Sequence, residues 1–182
     1  MAIIMNRILN FQKALTNQNI FDTIKLDTTN KGGNNMEYDY KEAMKLENQL
    51  CFPLYAAARA VTGAYTPYLR QLDLTYTQYI VLLVLWEKDG VTVGEICRKL
   101  MLDSGTLSPV LKKLQKQGYL EKQHSKDDER AVLIHLTDDG KALQEKAKDI
   151  PLQVGKCVGF PPEKAKQLYS LLYELLGNSY NG

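Results

Sequence analysis

Apolar residues recur at helical spacing from Asp39 onward, and Pro53 interrupts the first of these segments. Proline is tolerated in the first turn of a helix but is costly in its interior. Either a helix therefore restarts near Pro53, or one long helix kinks there. The segment then continues to about Leu69.

Three further helices are predicted with side-chain N-caps, because Thr, Ser and Asp side chains accept hydrogen bonds from the first helical N–H groups. Their predicted ranges are Thr75 to Trp86, Thr92 to Leu100, and Asp103-Ser104 to Gly118. The first has an apolar stripe at three- and four-residue spacing, formed by Tyr79, Leu82, Leu83 and Trp86. Pro109 is expected in the first turn of the third, where no donor is missed.

After Gly118 the period changes to that of strands. Two strands are predicted, Tyr119 to Ser125 and Ala131 to Leu136, joined by a charged turn over 126–130. Thr137 caps another long helix, Ile150-Pro151 breaks that pattern, and a last helix begins within 160–163. This order predicts a mostly α fold with a small β-hairpin wing, which is a winged helix-turn-helix.

Residues 1–35 differ from the rest, since they are rich in asparagine and end in Lys31-Gly32-Gly33-Asn34-Asn35. We expect an N-terminal extension that is disordered or is not part of the natural protein, with Met36 as the natural start. Residues 36–182 are predicted to form the functional domain.

Composition excludes several classes of protein. The 182 residues are 45% apolar with a net charge of only +2, and no stretch approaches a membrane span, so a soluble cytoplasmic protein is expected. Three widely spaced cysteines without a CxxC pair argue against a disulfide framework or a zinc ribbon. His124 and His135 form no ligand motif, and neither a metal nor a cofactor is expected.

The helix over 105–117 is the candidate recognition helix for the major groove of DNA. Its predicted core face consists of Leu107, Val110, Leu111 and Leu114. Polar residues lie mostly elsewhere: Ser104, Thr106, Ser108, Lys112, Lys113 and Lys116. Residues 104–126 include five lysines, among them Lys122 and Lys126, and only one acid, so positive charge is concentrated on this segment. The alternative is a solvated amphipathic helix beside an ordinary hairpin.

At the tip of the wing, Arg130 has two interpretations. It pairs with Asp128 across the turn, or it enters a minor groove, where narrow A·T tracts attract a guanidinium group.

Cys51 precedes Pro53 by two residues, which places it at a helix N-terminus if a helix begins there. The N–H groups and the dipole of a helix N-terminus favour a thiolate, the form that attacks peroxides. Many of the 11 tyrosines lie in this part of the sequence and are able to bind a thiolate. The alternative is that Cys51 is a small buried apolar residue, and periodicity alone favours this alternative.

Several motifs resemble those of the organic hydroperoxide resistance regulators, a branch of the MarR family of winged-helix transcription regulators. They are Leu46–Phe52, Leu74–Tyr79, Leu85–Glu87, Leu102–Leu107 and Asp128–Arg130. The resemblance runs from about Met36 to the C-terminus and does not cover residues 1–35.

The resemblance implies a homodimer that binds operator DNA when reduced and is released when an organic hydroperoxide oxidises Cys51. It implies dimerisation helices at about 39–70 and 137–178, and a DNA-binding part at about 75–136. By motif position, Tyr65 and Tyr76 would hydrogen-bond the Cys51 thiol, and Tyr55 would approach it from the dimer partner. Ser104 and Thr106 would lie on the recognition helix, and Arg130 at the wing.

The resemblance leaves the fate of oxidised Cys51 open. Some family members need a low-molecular-weight thiol, and others have a second cysteine near the C-terminal helices, where Cys157 lies in this chain. An inter-subunit Cys51–Cys157 disulfide is therefore a hypothesis, and a free surface thiol is the alternative. Cys97 is expected in the core.

Two other functions are consistent with parts of the sequence. A MarR-type repressor released by a reversibly bound small ligand would still be induced after Cys51→Ser. A thiol peroxidase would turn over peroxide catalytically, although the chain has no CxxC of the reductase type.

Overall fold

The computed structural model describes residues 40–124 and 132–180. The chain divides into two compact units, Met1–Arg59 and Ala60–Gly182. In the first unit a short helix, α1 (Tyr40–Ala43), precedes a 3₁₀ turn at Leu46–Asn48 and the start of α2 (Cys51–Leu69). The boundary between the units falls within α2.

Helix α2 begins at Cys51, so Pro53 lies in its first turn. The first of the two alternatives for Pro53 is therefore confirmed, because the helix restarts rather than kinking. At its C-terminal end, α2 passes into a 3₁₀ turn at Arg70–Leu72, and Asp73 adopts a left-handed φ of 52° that ends the helical run.

The three predicted N-caps are confirmed. Thr75 and Thr92 form capping boxes with Gln78 and Glu95 at the starts of α3 (Tyr76–Glu87) and α4 (Val93–Leu100). Asp103 accepts from the N–H of Thr106 and caps α5 (Ser104–Lys116). The expectation for Pro109 was wrong: α5 begins directly after Asp103, so Pro109 is in its second turn and cannot donate to the carbonyl of Gly105.

The predicted hairpin is part of a three-stranded antiparallel sheet in the order β1-β3-β2, where β1 is Val91–Thr92, β2 Leu120–His124 and β3 Val132–Leu136. Leu120 pairs with Leu136, and Val91 with Ile134. Strand β1 was not predicted because it has only two residues and is defined by its pairing with β3. Ser125 and Ala131, the inner ends of the predicted strands, lie outside the described residues.

The C-terminal helices are α6 (Asp138–Ala147), α7 (Ile150–Val158) and α8 (Pro162–Tyr180). Thr137 accepts from the N–H of Gly140 and caps α6, as predicted. The predicted break at Ile150-Pro151 is also confirmed, because Pro151 lies in the first turn of α7. None of the helices within the described residues is long and apolar enough to cross a membrane.

The core of the second unit is formed by α3 to α7 and the sheet. Leu82, Ile96, Leu107, Leu114 and Ile134 are fully buried in it. The prediction that Leu83 belongs to the apolar stripe of α3 is wrong, because its side chain is 42% exposed. The buried face of α3 is also wider than the predicted stripe, since Val81, Val84 and Leu85 are buried.

Candidate thiol site and nucleic-acid interface

Cys51 is an exposed free thiol at the first position of α2. This location matches the predicted helix start and leaves the sulfur accessible to a dissolved oxidant. Tyr55 follows one turn later and is 58% exposed. Its hydroxyl accepts a hydrogen bond of 3.2 Å from Nη1 of Arg59, and the guanidinium carbon lies 5.6 Å from the centre of its ring. Arg59 is not among the predicted site residues, although residues four positions apart, such as Tyr55 and Arg59, are neighbours on a helix surface.

In the second unit, the structure brings together Tyr65 and Tyr76, the two tyrosines predicted to bind a thiol. Their ring centres are 5.1 Å apart in an edge-to-face arrangement, and Tyr79 lies 5.7 Å from Tyr65. Burial raises the pKa of Tyr76, and the neighbouring Tyr65 raises it further. The Tyr76 hydroxyl therefore keeps its proton at neutral pH and is a hydrogen-bond donor. Its donation to Cys51 stays a prediction.

Cys157, the candidate resolving cysteine, is an exposed free thiol in α7. Its sulfur lies 3.7 Å from the hydroxyl oxygen of Tyr68. The hydrogen bond with Cys157 raises the pKa of Tyr68, with smaller contributions from burial and from the electrostatic interaction with the same side chain. Tyr68 was not among the predicted site residues. Cys97, which was expected in the core, is partly buried and packs against the core.

Helix α5 has the two faces predicted for a recognition helix. Leu107, Leu111 and Leu114 are buried, and Val110 is partly buried against them. The polar side chains predicted to lie away from this core face are all exposed: Ser104, Thr106, Ser108, Lys112, Lys113 and Lys116. The helix therefore presents hydroxyl groups to the solvent at its start and ammonium groups in its C-terminal half.

The start of α5 is stabilised by hydrogen bonds among its own polar groups. Asp103 accepts from the N–H of Thr106 at 2.8 Å and from its hydroxyl at 2.6 Å, and the Ser108 hydroxyl donates to the carbonyl of Ser104 at 2.6 Å. The bonds from Thr106 hold the pKa of Asp103 below its usual value. Both hydroxyl protons are engaged within the helix in this arrangement, so Thr106 and Ser108 can accept from a base-edge donor as they stand, whereas a contact with a phosphate requires the hydroxyl to turn away from its present partner.

The wing is only partly described. Lys122 of β2 is exposed, whereas Lys126, Asp128 and Arg130 lie outside the described residues, so their roles stay predictions. At the base of the wing, Asp89 accepts from the N–H of Leu136 at 2.8 Å and lies 3.4 Å from Nδ1 of His135. In the described ranges, 40–124 and 132–180, no group of His, Cys, Asp and Glu side chains has a metal-binding arrangement.

Both the sequence and the fold resemble those of known transcriptional regulators. Residues 64–147 match the model of the SarA/Rot transcriptional regulators. An organic hydroperoxide resistance transcriptional regulator of Bacillus subtilis is 52% identical over 136 residues, which cover 73% of this chain and 90% of that protein. The SarZ regulator of Staphylococcus haemolyticus is 36% identical over 75% of this chain and 92% of its own length.

Among solved structures, reduced AbfR bound to DNA superposes with a TM-score of 0.64 at 35% identity, covering 78% of this chain and 99% of AbfR. Overoxidised AbfR bound to DNA gives a TM-score of 0.62 at 36% identity, covering 76% of this chain and 98% of AbfR. AbfR is a protein of Staphylococcus epidermidis. The winged-helix fold is therefore shared with a protein whose structure on DNA is known in both a reduced and an overoxidised form.

Proposed function

Because the chain belongs to the family of organic hydroperoxide resistance transcriptional regulators, we propose that it is a redox-sensing repressor whose thiol switch is Cys51. In this proposal the reduced homodimer binds operator DNA, and oxidation of Cys51 by an organic hydroperoxide releases it. The observation that carries the proposal is the exposed thiol at the first residue of α2, in a chain 52% identical to the Bacillus subtilis regulator.

The first chemical step needs only Cys51 and the peroxide. The thiolate attacks one peroxide oxygen, so that a sulfur–oxygen bond forms and the oxygen–oxygen bond breaks. The other oxygen leaves as an alcohol after it takes up a proton, and Cys51 becomes a sulfenic acid. We propose that Tyr65 and Tyr76 hold the thiol by hydrogen bonds and that Tyr55 of the partner subunit completes the site.

The DNA-binding step rests on α5 and the wing. We propose that Ser104, Thr106 and Ser108 meet base edges or phosphates near the start of α5, while Lys112 and Lys113 neutralise phosphates. Lys126 and Arg130 would contact DNA from the wing. The exposure of the named α5 side chains, and the burial of its opposite face in the core, support this assignment.

A second thiol completes the oxidation. Cys51 sulfenic acid condenses with a thiol, forming a disulfide and releasing water. We propose that Cys157 of the partner subunit supplies this thiol, and a low-molecular-weight thiol is the alternative source. The exposed sulfur of Cys157 and its contact with Tyr68 support the first of these.

Mass spectrometry after titration with cumene hydroperoxide tests the sensor chemistry. In Cys157→Ser protein without added thiol, we expect one oxygen atom added at Cys51 and peroxide consumption that stops near one equivalent. Cys97→Ser should not change this result. In a separate assay with added dithiol reductant, sustained catalytic turnover of peroxide would favour the peroxidase instead. An unmodified Cys51 in the first assay would favour a ligand-released repressor.

A further inference from the structure

A buried side chain joins the start of α3 to the end of the recognition helix. Gln78 is 1% exposed, the one polar side chain in the buried core of the described residues. Its Oε1 accepts from the N–H of Thr75 at 2.9 Å, and its Nε2 donates to Oε1 of Gln117 at 2.7 Å. Nε2 of Gln117 then donates to the backbone carbonyl of Asp73 at 2.8 Å and to its Oδ2 at 3.1 Å. These four residues, Asp73, Thr75, Gln78 and Gln117, are called the amide relay below.

Each member of the amide relay stands where a backbone element begins or ends. Asp73 has the left-handed φ that follows the 3₁₀ turn after α2, and Thr75 is the N-cap of α3. Gln117 is the C-cap of α5, where the N–H of Tyr119 bonds to the carbonyl of Leu114 at 3.1 Å and Gly118 has a φ of +80°. Strand β2 of the wing begins one residue after Tyr119. Gln117 therefore marks the junction between the recognition helix and the wing.

The bonds of the relay depend on one another. A primary amide has one end that accepts and one that donates, so turning either glutamine over would break bonds on both of its sides. A buried amide that loses its partner is destabilised, because water cannot replace the lost bond. A displacement at the start of α3 must therefore carry Gln117 with it or break the hydrogen bond that the buried Gln78 amide donates to Gln117.

The start of α3 also contains a tyrosine assigned to the thiol site. Tyr76 directly follows Thr75 and packs edge-to-face on Tyr65. Under the proposed function, on which this inference rests, both tyrosines hydrogen-bond the Cys51 thiol, so oxidation of the sulfur changes their hydrogen bonds. The relay then connects a residue that senses oxidation with the element that binds DNA.

We propose that Gln117 is a positioning residue, which holds the recognition helix and the wing in register with the start of α3 and so couples oxidation of Cys51 to release of DNA. It touches neither the thiol nor the DNA in this role. Its side chain transmits a displacement of α3 to the C-terminal end of α5.

The ratio of operator dissociation constants in the oxidised and reduced protein tests this role. Gln117→Met and Gln78→Met keep the length of the side chain but remove its hydrogen bonds. Allosteric coupling typically amounts to roughly 5- to 150-fold in affinity, so we expect each variant to lower the ratio about tenfold. A residue with only a structural role would weaken both forms equally and leave the ratio unchanged. Because the two glutamines act as one unit, the double variant should lose no more than either single variant.

Gln115→Met is the matched control, since Gln115 is an exposed glutamine in the last turn of the same helix. The relay proposal is overturned if Gln117→Met lowers the ratio no more than Gln115→Met does. If circular dichroism shows that Gln117→Met does not fold, the same measurement is made on Gln117→Glu. The glutamate side chain still accepts from Gln78 but cannot donate to Asp73, so we expect the same loss of coupling. If the oxidised wild-type protein stays bound to its operator, the proposed function itself is contradicted. If the oxidised wild type releases the operator but the variants show the same affinity ratio as wild type, only the relay is contradicted.

Discussion

The hydroxyl oxygen of Tyr68 lies 3.7 Å from the sulfur of Cys157, although the two residues are 89 positions apart in the chain. The raised pKa of Tyr68 keeps its proton in place at neutral pH. When Cys157 is a thiolate, Tyr68 is therefore the donor in this contact. A tyrosine hydroxyl within hydrogen-bond distance of an exposed sulfur distinguishes Cys157 from the partly buried Cys97.

Disulfide formation tests the reaction proposed for Cys157. After treatment with cumene hydroperoxide, wild-type protein should run as a covalent dimer on non-reducing gels, and Cys157→Ser should run as a monomer. Tyr68→Phe removes the donor, so the covalent dimer should form several-fold more slowly. Cys97→Ser is the control and should behave as wild type. A covalent dimer that persists in Cys157→Ser would contradict the Cys51–Cys157 pairing, and a wild-type protein that stays monomeric while Cys51 is oxidised would assign the second thiol to a small molecule.

The salt dependence of operator affinity tests whether the lysines of α5 contact phosphates. If Lys112 and Lys113 neutralise phosphates, operator affinity should fall steeply with salt, with a log–log slope of about −0.9 for each phosphate contact. Lys113→Gln should weaken binding to all DNA sequences and reduce the magnitude of the slope by about 1. Lys166→Gln, an exposed lysine of α8, is the control. A slope that Lys113→Gln leaves unchanged would remove this residue from the DNA interface.

The N-cap of the recognition helix, Asp103, is expected to make the stability of the protein depend on pH. The pKa of Asp103 is lowered in the folded protein by its bonds from Thr106. A carboxylate with a lowered pKa contributes stability above its unfolded pKa of about 3.9, and this contribution is lost as the pH falls through the folded value. Wild type should therefore be more stable than Asp103→Asn near neutral pH, and the difference should shrink in acid.

Thermal unfolding of the two proteins, followed by circular dichroism from about pH 7 to about pH 3, measures this difference. The comparison cancels the contribution of Glu95, whose pKa is lowered by bonds from Thr92 in both proteins. A difference in melting temperature that does not depend on pH would show that the charge of Asp103 does not stabilise the helix.

Gly140 marks a close approach between α6 and the start of the wing. A Cβ at this position would collide with the carbonyl oxygen of Tyr119, and the carbonyl of Gly140 accepts from Nε1 of Trp86 at 2.9 Å. Gly140→Ala should therefore destabilise the protein by about 1–3 kcal/mol, as overpacked sites do. Gly155→Ala is the control, because it is also helical and a Cβ there would meet nothing within 4 Å. Urea denaturation compares the two, and equal stabilities would contradict the close packing.

Local chemistry explains why much of the fold was predictable. The caps at Thr75, Thr92 and Asp103 depend on residues within three positions, and the start of α2 depends on the backbone limits of Pro53. Strand β1 and the exposure of Leu83 depend on which elements pack together, and periodicity within one segment does not contain that information.

In the candidate site, too, the features set by nearby residues were predictable and those set by tertiary contacts were not. The faces of α5 follow from the spacing of its leucines, and the position of Cys51 follows from Pro53. The contact of Tyr68 with Cys157 and the bond between Gln78 and Gln117 join residues 89 and 39 positions apart, and no local pattern indicates such pairs. The predicted roles of Lys126 and Arg130 stay predictions.

Operator binding by the wild-type protein and by Cys51→Ser, each with and without cumene hydroperoxide, tests the central claim most directly. Fluorescence anisotropy with a labelled operator duplex at fixed salt gives the four dissociation constants. We predict that both reduced proteins bind tightly, that the peroxide weakens binding of wild type by at least about tenfold, in the range typical of allosteric coupling, and that Cys51→Ser keeps its affinity. Equal release of both proteins by the peroxide, or release of neither, would contradict a thiol switch at Cys51.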